Sequence, residues 1–369
     1  MTYVPSRAEW ETRPPDALGL RADALHAAIA HHRAHESAWP RDFITPSGRY
    51  IGVADEPADS VVLGPVRPRK DPSGLVVHQG YVVAEWGDTR RTDMSFSIAK
   101  SYLAVLTGLA LQHGLILDVD EPLSVMAIDD GFKSPQNADI TWRHLLQQTS
   151  EWQGTLWDKP DTIDHNRDVG KSELGNAPKG TPRPMRPPGT LWEYNDVRVN
   201  RLSLSLLQRF RRPLPEVLRE AIMDPIGAAD DWEWHPYRNS WVDIDGRRLP
   251  SVPGGSHWGG GLWMAARDHA RFGLLMLREG QWGERRLLDP AWITEMRRPC
   301  LLNPGYGFLW WLNTGRTALP SAPASSYAAR GAGSNVIWID PEHDLVVVLR
   351  WIDKGSVDGV LKLVLEALD

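Results

Sequence analysis

The chain has a single cysteine, Cys300. An internal disulfide is therefore impossible, which fits a reducing compartment. Cys300 itself reads as a small packed residue rather than a nucleophile. Basic excess is also missing: 41 Lys and Arg stand against 47 Asp and Glu, a net charge of -6. That balance excludes the phosphate-neutralising surface of a nucleic-acid binder. No long apolar run occurs. The most apolar helical stretch, around Ser101–Leu111, is too short to span a bilayer. The opening MTYVPSRAEWETRPPD lacks the apolar core of a secretory signal. The expectation is a cytoplasmic protein with no membrane partner; its oligomeric state stays open. Internal repeats, low-complexity blocks, a Gly-x-Ser-x-Gly elbow around Ser97 and a His-Glu-x-x-His zinc motif are absent as well.

What is present is a chain of 369 residues, long for one hydrophobic core, so two lobes are expected. Gly74–Trp86 reads as two short strands around a turn at His78–Gly80, because β-branched residues flank a glycine. A helix is expected from about Phe96 to His113, stopped by Gly114. Further helices are expected over Ala17–Ser37, Trp142–Gln148, Asp196–Arg211, Ala265–Glu279 and Val357–Leu368, with strands at Asn335–Ile339 and Leu345–Trp351. Lys159–Gly189, rich in Pro, Gly and charge, reads as a long loop of the kind that lids a site. Strands at both ends with helices between predict an α/β (α+β) fold. One mainly antiparallel sheet would be built from both chain ends and flanked by helices, with a mainly helical lobe inserted. In residue numbers, 1–115 and 300–369 would form the α/β lobe and 116–299 the helical one. A cleft between lobes is the usual place for a site.

The strongest local signal is Ser97-Ile98-Ala99-Lys100. A serine three residues before a lysine places both on one helix face. Ser97 falls in the first turn, where unpaired N–H groups and the dipole favour a developing oxyanion. Lys100 precedes an apolar stretch, so burial is expected to lower its pKa, as a lysine base requires. A surface Ser-x-x-Lys is commoner than a catalytic one, so the motif needs context. Tyr194, in Pro188–Asp196 at a loop-to-helix junction, is the candidate second proton carrier. A tyrosine buried with a capped hydroxyl is the competing structural role.

With these segments in order, the chain resembles the β-lactamase-related serine hydrolases. That group holds class C β-lactamases, DD-peptidases, family VIII esterases and the 6-aminohexanoate-dimer hydrolase. The similarity runs from about Gly74 to Arg350. Ser97–Lys100 matches the Ser-x-x-Lys motif, and Tyr194-Asn195-Asp196 matches Tyr-x-Asn in position. Ile140–Ser150, Gly259–Leu262 and Ala266–Gly273 are similar to the family's intervening segments. Ala329-Arg330-Gly331-Ala332-Gly333 stands at the third motif, Lys-Thr-Gly or His-x-Gly. The resemblance implies Ser97 as nucleophile and Lys100 with Tyr194 as base. It also implies an oxyanion hole of the Ser97 and Ala332 N–H groups, and Gly331 as the point where substrate meets backbone. No cofactor or metal is implied; the partner would be a small ester or amide.

Two departures qualify this. Asp196 replaces the usual Asn; a carboxylate accepts but does not donate, repels acidic substrates, and would hold Lys100 charged. Ala329 replaces the Lys or His that contacts a β-lactam carboxylate. Arg330 is the candidate replacement, although neighbouring strand residues face opposite ways. Small esters or amides are therefore expected substrates ahead of penicillins, cephalosporins or cell-wall peptide. A non-catalytic sensor on the same fold would have no use for Ser97, Lys100 and Tyr194 together. Of the 18 tryptophans, Trp152, Trp157 and above all Trp258 are expected near the cleft. His31, His32 and His35 read as a solvated helix face rather than a metal site.

Overall fold

The computed structural model describes residues 3–170 and 177–368. Its centre is a six-stranded antiparallel sheet. In spatial order the strands are Trp311–Leu312, Tyr327–Gly331, Asn335–Asp340, Leu345–Arg350, Ser73–His78 and Tyr81–Trp86. The C-terminal strand Leu345–Arg350 pairs with Ser73–His78, so both chain ends meet in the middle of one sheet. The hairpin that opens the sheet turns through Gln79 and Gly80, both at positive φ. Two such residues match the right-handed twist of the flanking strands.

Both faces of this sheet are covered, so its strands read as nearly continuous apolar runs. Val76 and Val347 face the terminal helices Ala22–Ala34 and Val357–Glu366. Leu75, Val77, Val346 and Val348 face the larger core, which includes Leu103 and Phe272. The period of two thus sorts one apolar run into two cores. The helix Ala266–Leu277 lies within 116–299, yet it packs on the strands Ser73–His78, Asn335–Asp340 and Leu345–Arg350. Gly273 permits that approach, since a Cβ there would crowd the Val346 side chain.

The first helix departs from a purely solvated histidine face. His32 is fully buried, accepting from the Trp86 indole at 3.0 Å and bonding the Arg350 carbonyl at 3.1 Å. The neighbouring His31 and His35 rings stack on each other. Cys300 is buried and free. Of the expected long loop, residues 171–176 lie outside the described residues. Among the described residues, no helix is long and apolar enough to cross a membrane.

A small sheet joins Asp93–Met94, Gly261–Met264 and Glu233–His235 and aims the chain at the serine helix. Arg350 fastens it to the main sheet. Its buried guanidinium donates to Asn335 Oδ1 at 2.7 Å and to the carbonyls of Met264 and Met94 at 3.0 and 2.9 Å.

Candidate active site

Ser97 is the N-cap of the helix Ile98–Gln112. The residue before it, Phe96, has φ +50°, a left-handed conformation that costs a bulky side chain free energy. Tertiary packing imposes it. The Phe96 ring is buried edge-on against Trp39, Phe43 and Trp351. The Ser95 N–H donates to the Leu262 carbonyl at 2.8 Å, and its hydroxyl bonds His269 Nε2 at 2.8 Å. Ser97 is therefore held from both sides of a sharp corner.

Lys100, one turn along, reaches back to Ser97 Oγ at 2.9 Å. Its ammonium also donates to Asp196 Oδ1 at 2.5 Å and to the Gly254 carbonyl at 3.1 Å. Gly255 leaves the space for this, because a Cβ there would stand 3.3 Å from Lys100 Nζ and 3.5 Å from Ser97 Oγ. Burial, the largest single cause, pushes the Lys100 pKa down, as the sequence suggested, but the Asp196 charge, Tyr194 and the Asp196 hydrogen bond together act the other way, and the net shift is upward. The expectation of a lowered lysine pKa is thus corrected: Lys100 is held as a cation.

Asp196 opens the helix Asp196–Phe210, where Asn195 caps by accepting from the Arg198 N–H at 3.2 Å. Burial would raise its carboxyl. Arg167 first, then Lys100 and His257, hold it well below the usual carboxylate range. Arg167 donates to Asp196 Oδ2 at 2.6 Å, and His257 Nδ1 lies 3.1 Å from the same oxygen. The other ring nitrogen, Nε2, is 2.8 Å from Glu56 Oε1. Glu56 also meets Lys179, whose Nζ is 3.3 Å from Asp164 Oδ1. Glu56, Asp164 and His257 are close enough together to hold a cation, and the Lys179 ammonium already stands among them.

Tyr194 is buried. Lys100 Nζ lies 4.9 Å and the Arg167 guanidinium 5.3 Å from its ring centre, and Trp311 stacks on it at 5.8 Å. Its hydroxyl makes no hydrogen bond to Ser97 or Lys100 among the described residues. On the opposite wall, Gly331 passes so close to the serine corner that a Cβ would strike the Ser95 carbonyl. Ala332 follows it and lines, with Ser97, Asp196, His257, Trp39 and Arg167, a cavity of about 340 Å³. The Ser97 and Ala332 N–H groups have no acceptor among the described residues. An oxygen bound between them would meet two unspent donors.

A family profile described as Beta-lactamase matches residues 75–361. The chain belongs to the β-lactamase family. No curated protein matches it. Solved structures share the fold of this β-lactamase-family chain at low identity. A penicillin-binding protein homologue from Caulobacter crescentus is 15% identical, with TM-score 0.61, covering 95% of this chain and 99% of that one. EstCE1, a hydrolase with promiscuous acyltransferase activity, is 16% identical with TM-score 0.57, covering 94% and 98%. A penicillin-binding protein from Bacillus halodurans is 18% identical with TM-score 0.54, covering 79% and 94%.

Not every residue expected at the site is there. Trp258 is fully buried in the core beside His257, with Lys159 over its ring, so its indole offers no face to a ligand. Trp152 is likewise core, donating to the Gly131 carbonyl at 2.7 Å. The tryptophans at the site are Trp39 and Trp311. Arg330 faces a different hollow from Ser97. Glu56, Arg167, Lys179 and His257 were not signalled, because their spacing in sequence carries no motif; only the fold gathers them.

Proposed function

We propose that this chain is a serine hydrolase acting through an acyl-enzyme on small carboxylic esters or amides. The observation that carries this reading is the 2.9 Å contact of Lys100 Nζ with Ser97 Oγ, in a cavity that Ala332 also lines. Ser97 Oγ attacks the carbonyl carbon, and the carbonyl oxygen takes the negative charge between the N–H groups of Ser97 and Ala332. Lys100 already carries its full set of protons, so it orients Ser97 and stabilises charge rather than taking the serine proton. Tyr194, beside Lys100, is left as the proton carrier: it takes the Ser97 proton as Oγ bonds to the carbonyl carbon, and gives it to the leaving group as the intermediate collapses and the bond to that group breaks. Water then repeats the sequence on the acyl-enzyme, with Tyr194 taking its proton and Ser97 as leaving group.

A β-lactamase or DD-peptidase role is the alternative within the family, and a non-catalytic sensor the alternative outside it. The Ala329 side chain is buried in the core and offers a substrate carboxylate no cation, which favours simple esters. Stoichiometric labelling of Ser97 by a fluorophosphonate, with turnover of p-nitrophenyl butyrate, tests the reading. Neither labelling nor turnover would leave the sensor.

A further inference from the structure

Beside the serine cavity lies a second hollow of about 440 Å³, with Trp311, Leu312, Tyr327 and Leu319 among its walls. Among the described residues lining it, one carries a charge: Arg330. On the strand Tyr327–Gly331, Ala329 turns into the main core, and Arg330 turns the opposite way, as alternation requires. Arg330 makes no ion pair and no hydrogen bond among the described residues. Its guanidinium instead sits 6.0 Å from the ring centre of Trp311. Burial alone shifts its pKa, downward, with no carboxylate acting against it. The other arginine at the site, Arg167, meets two carboxylates.

A cation drawn partly out of water with no counter-charge costs free energy that an incoming anion recovers. The hollow also adjoins the reacting groups. Trp311 links the two: the Arg330 guanidinium stands 6.0 Å from its ring centre, and its ring stacks with that of Tyr194 at 5.8 Å. Gly170 lines the hollow, while its neighbours Asp168 and Val169 line the serine cavity. Arg330 is two residues from Ala332, roughly 7 Å along an extended strand.

We propose that this hollow is a binding subsite for a carboxylate carried on an apolar arm of the substrate, with Arg330 as its specificity-determining residue. The anion is then read on the face of the strand opposite Ala329, over Trp311. The proposal deepens the serine-hydrolase reading, which supplies the reaction, but the binding itself does not depend on turnover.

The test is isothermal titration of the whole protein with butyrate, hexanoate and octanoate, and with the matching alcohols. The carboxylates should bind at least tenfold more tightly than the alcohols, more tightly with chain length, and less tightly as salt rises. Arg330→Gln should erase the tenfold preference, and Arg330→Lys should keep part of it. Equal binding of hexanoate and hexanol by the unaltered protein would overturn the proposal, and so would a preference that survives Arg330→Gln. Should the variants fail to fold, the salt dependence in the unaltered protein decides alone. Carboxylate binding without turnover of p-nitrophenyl butyrate would retain the subsite and remove the hydrolase reading. Turnover without carboxylate preference would do the reverse.

Discussion

The Lys100 ammonium and the Asp196 carboxylate meet at 2.5 Å with both side chains almost sealed from water. Where the family pattern has an asparagine, this chain has placed a full negative charge next to the Lys100 cation. The pair is costly to bury and costlier to break. Removal of one partner from such a pair typically destabilises by roughly 3–5 kcal/mol.

Asp196→Asn separates charge from position. Without the carboxylate, burial dominates and the Lys100 pKa should fall from its raised value. The alkaline side of the pH–rate profile should then show an ionisation at lower pH than in the unaltered protein. Stability should drop by roughly 3 kcal/mol on the same grounds. A pH–rate profile identical in both proteins would mean that Asp196 does not control the charge on Lys100.

Ser97→Ala should abolish turnover with the fold intact, and Lys100→Ala should lose nearly as much. Tyr194→Phe keeps the ring and removes the proton carrier, and should also be severely impaired. Residues acting as a unit lose activity non-additively, so the Ser97→Ala, Lys100→Ala double variant should be little worse than either single. Steady-state kinetics beside a thermal melt of each variant checks this. Most of the activity surviving in Ser97→Ala would end the proposed mechanism.

Substrate ranking follows from the walls. Recognition of a simple ester needs only the serine corner and its two N–H donors. A cephalosporin also brings a carboxylate, for which the core-facing Ala329 supplies no cation, and an amide whose carbonyl finds no donor in Asp196. Each unpaired polar group costs roughly 1–3 kcal/mol, about tenfold or more in specificity. The kcat/KM for p-nitrophenyl butyrate should therefore exceed that for a chromogenic cephalosporin, and side-by-side kinetics settles the order.

Much of this was legible in sequence where signals are local. Strand pairs with a glycine turn between them, the Ser97 helix stopped by Gly114 and the order of the motifs all follow from neighbours a few residues apart. The raised Lys100 pKa was not legible as a direction, because burial and the Asp196 charge oppose each other and only their distances decide. Trp258 was misplaced for a related reason: a tryptophan in a glycine-rich segment suits a cleft or a core equally well. Trp311 and His257 gave no signal at all, since each matters through residues remote in sequence.

His32 predicts a pH dependence remote from the site. Burial, first among the causes, pushes its pKa down to about 4, and the neutral ring accepts from Trp86 while bonding the Arg350 carbonyl. A histidine depressed in the folded state is protonated first in the unfolded chain. Stability should thus fall as the pH drops from about 6.5 through about 4. Its share reaches about 3 kcal/mol by linkage. Denaturant titrations near neutral and mildly acid pH should show a smaller loss for His32→Gln than for the unaltered protein.

The central sheet also sets when the protein becomes competent. Ser97 and its helix leave the ribosome well before Gly331, Ala332 and the strand that fills the middle of the sheet. A chain interrupted before that strand has a serine but no second wall and no closed sheet to hold the corner at Phe96. On the proposed reading, a hydrolase of this build gains its second wall only once that strand has been made and paired.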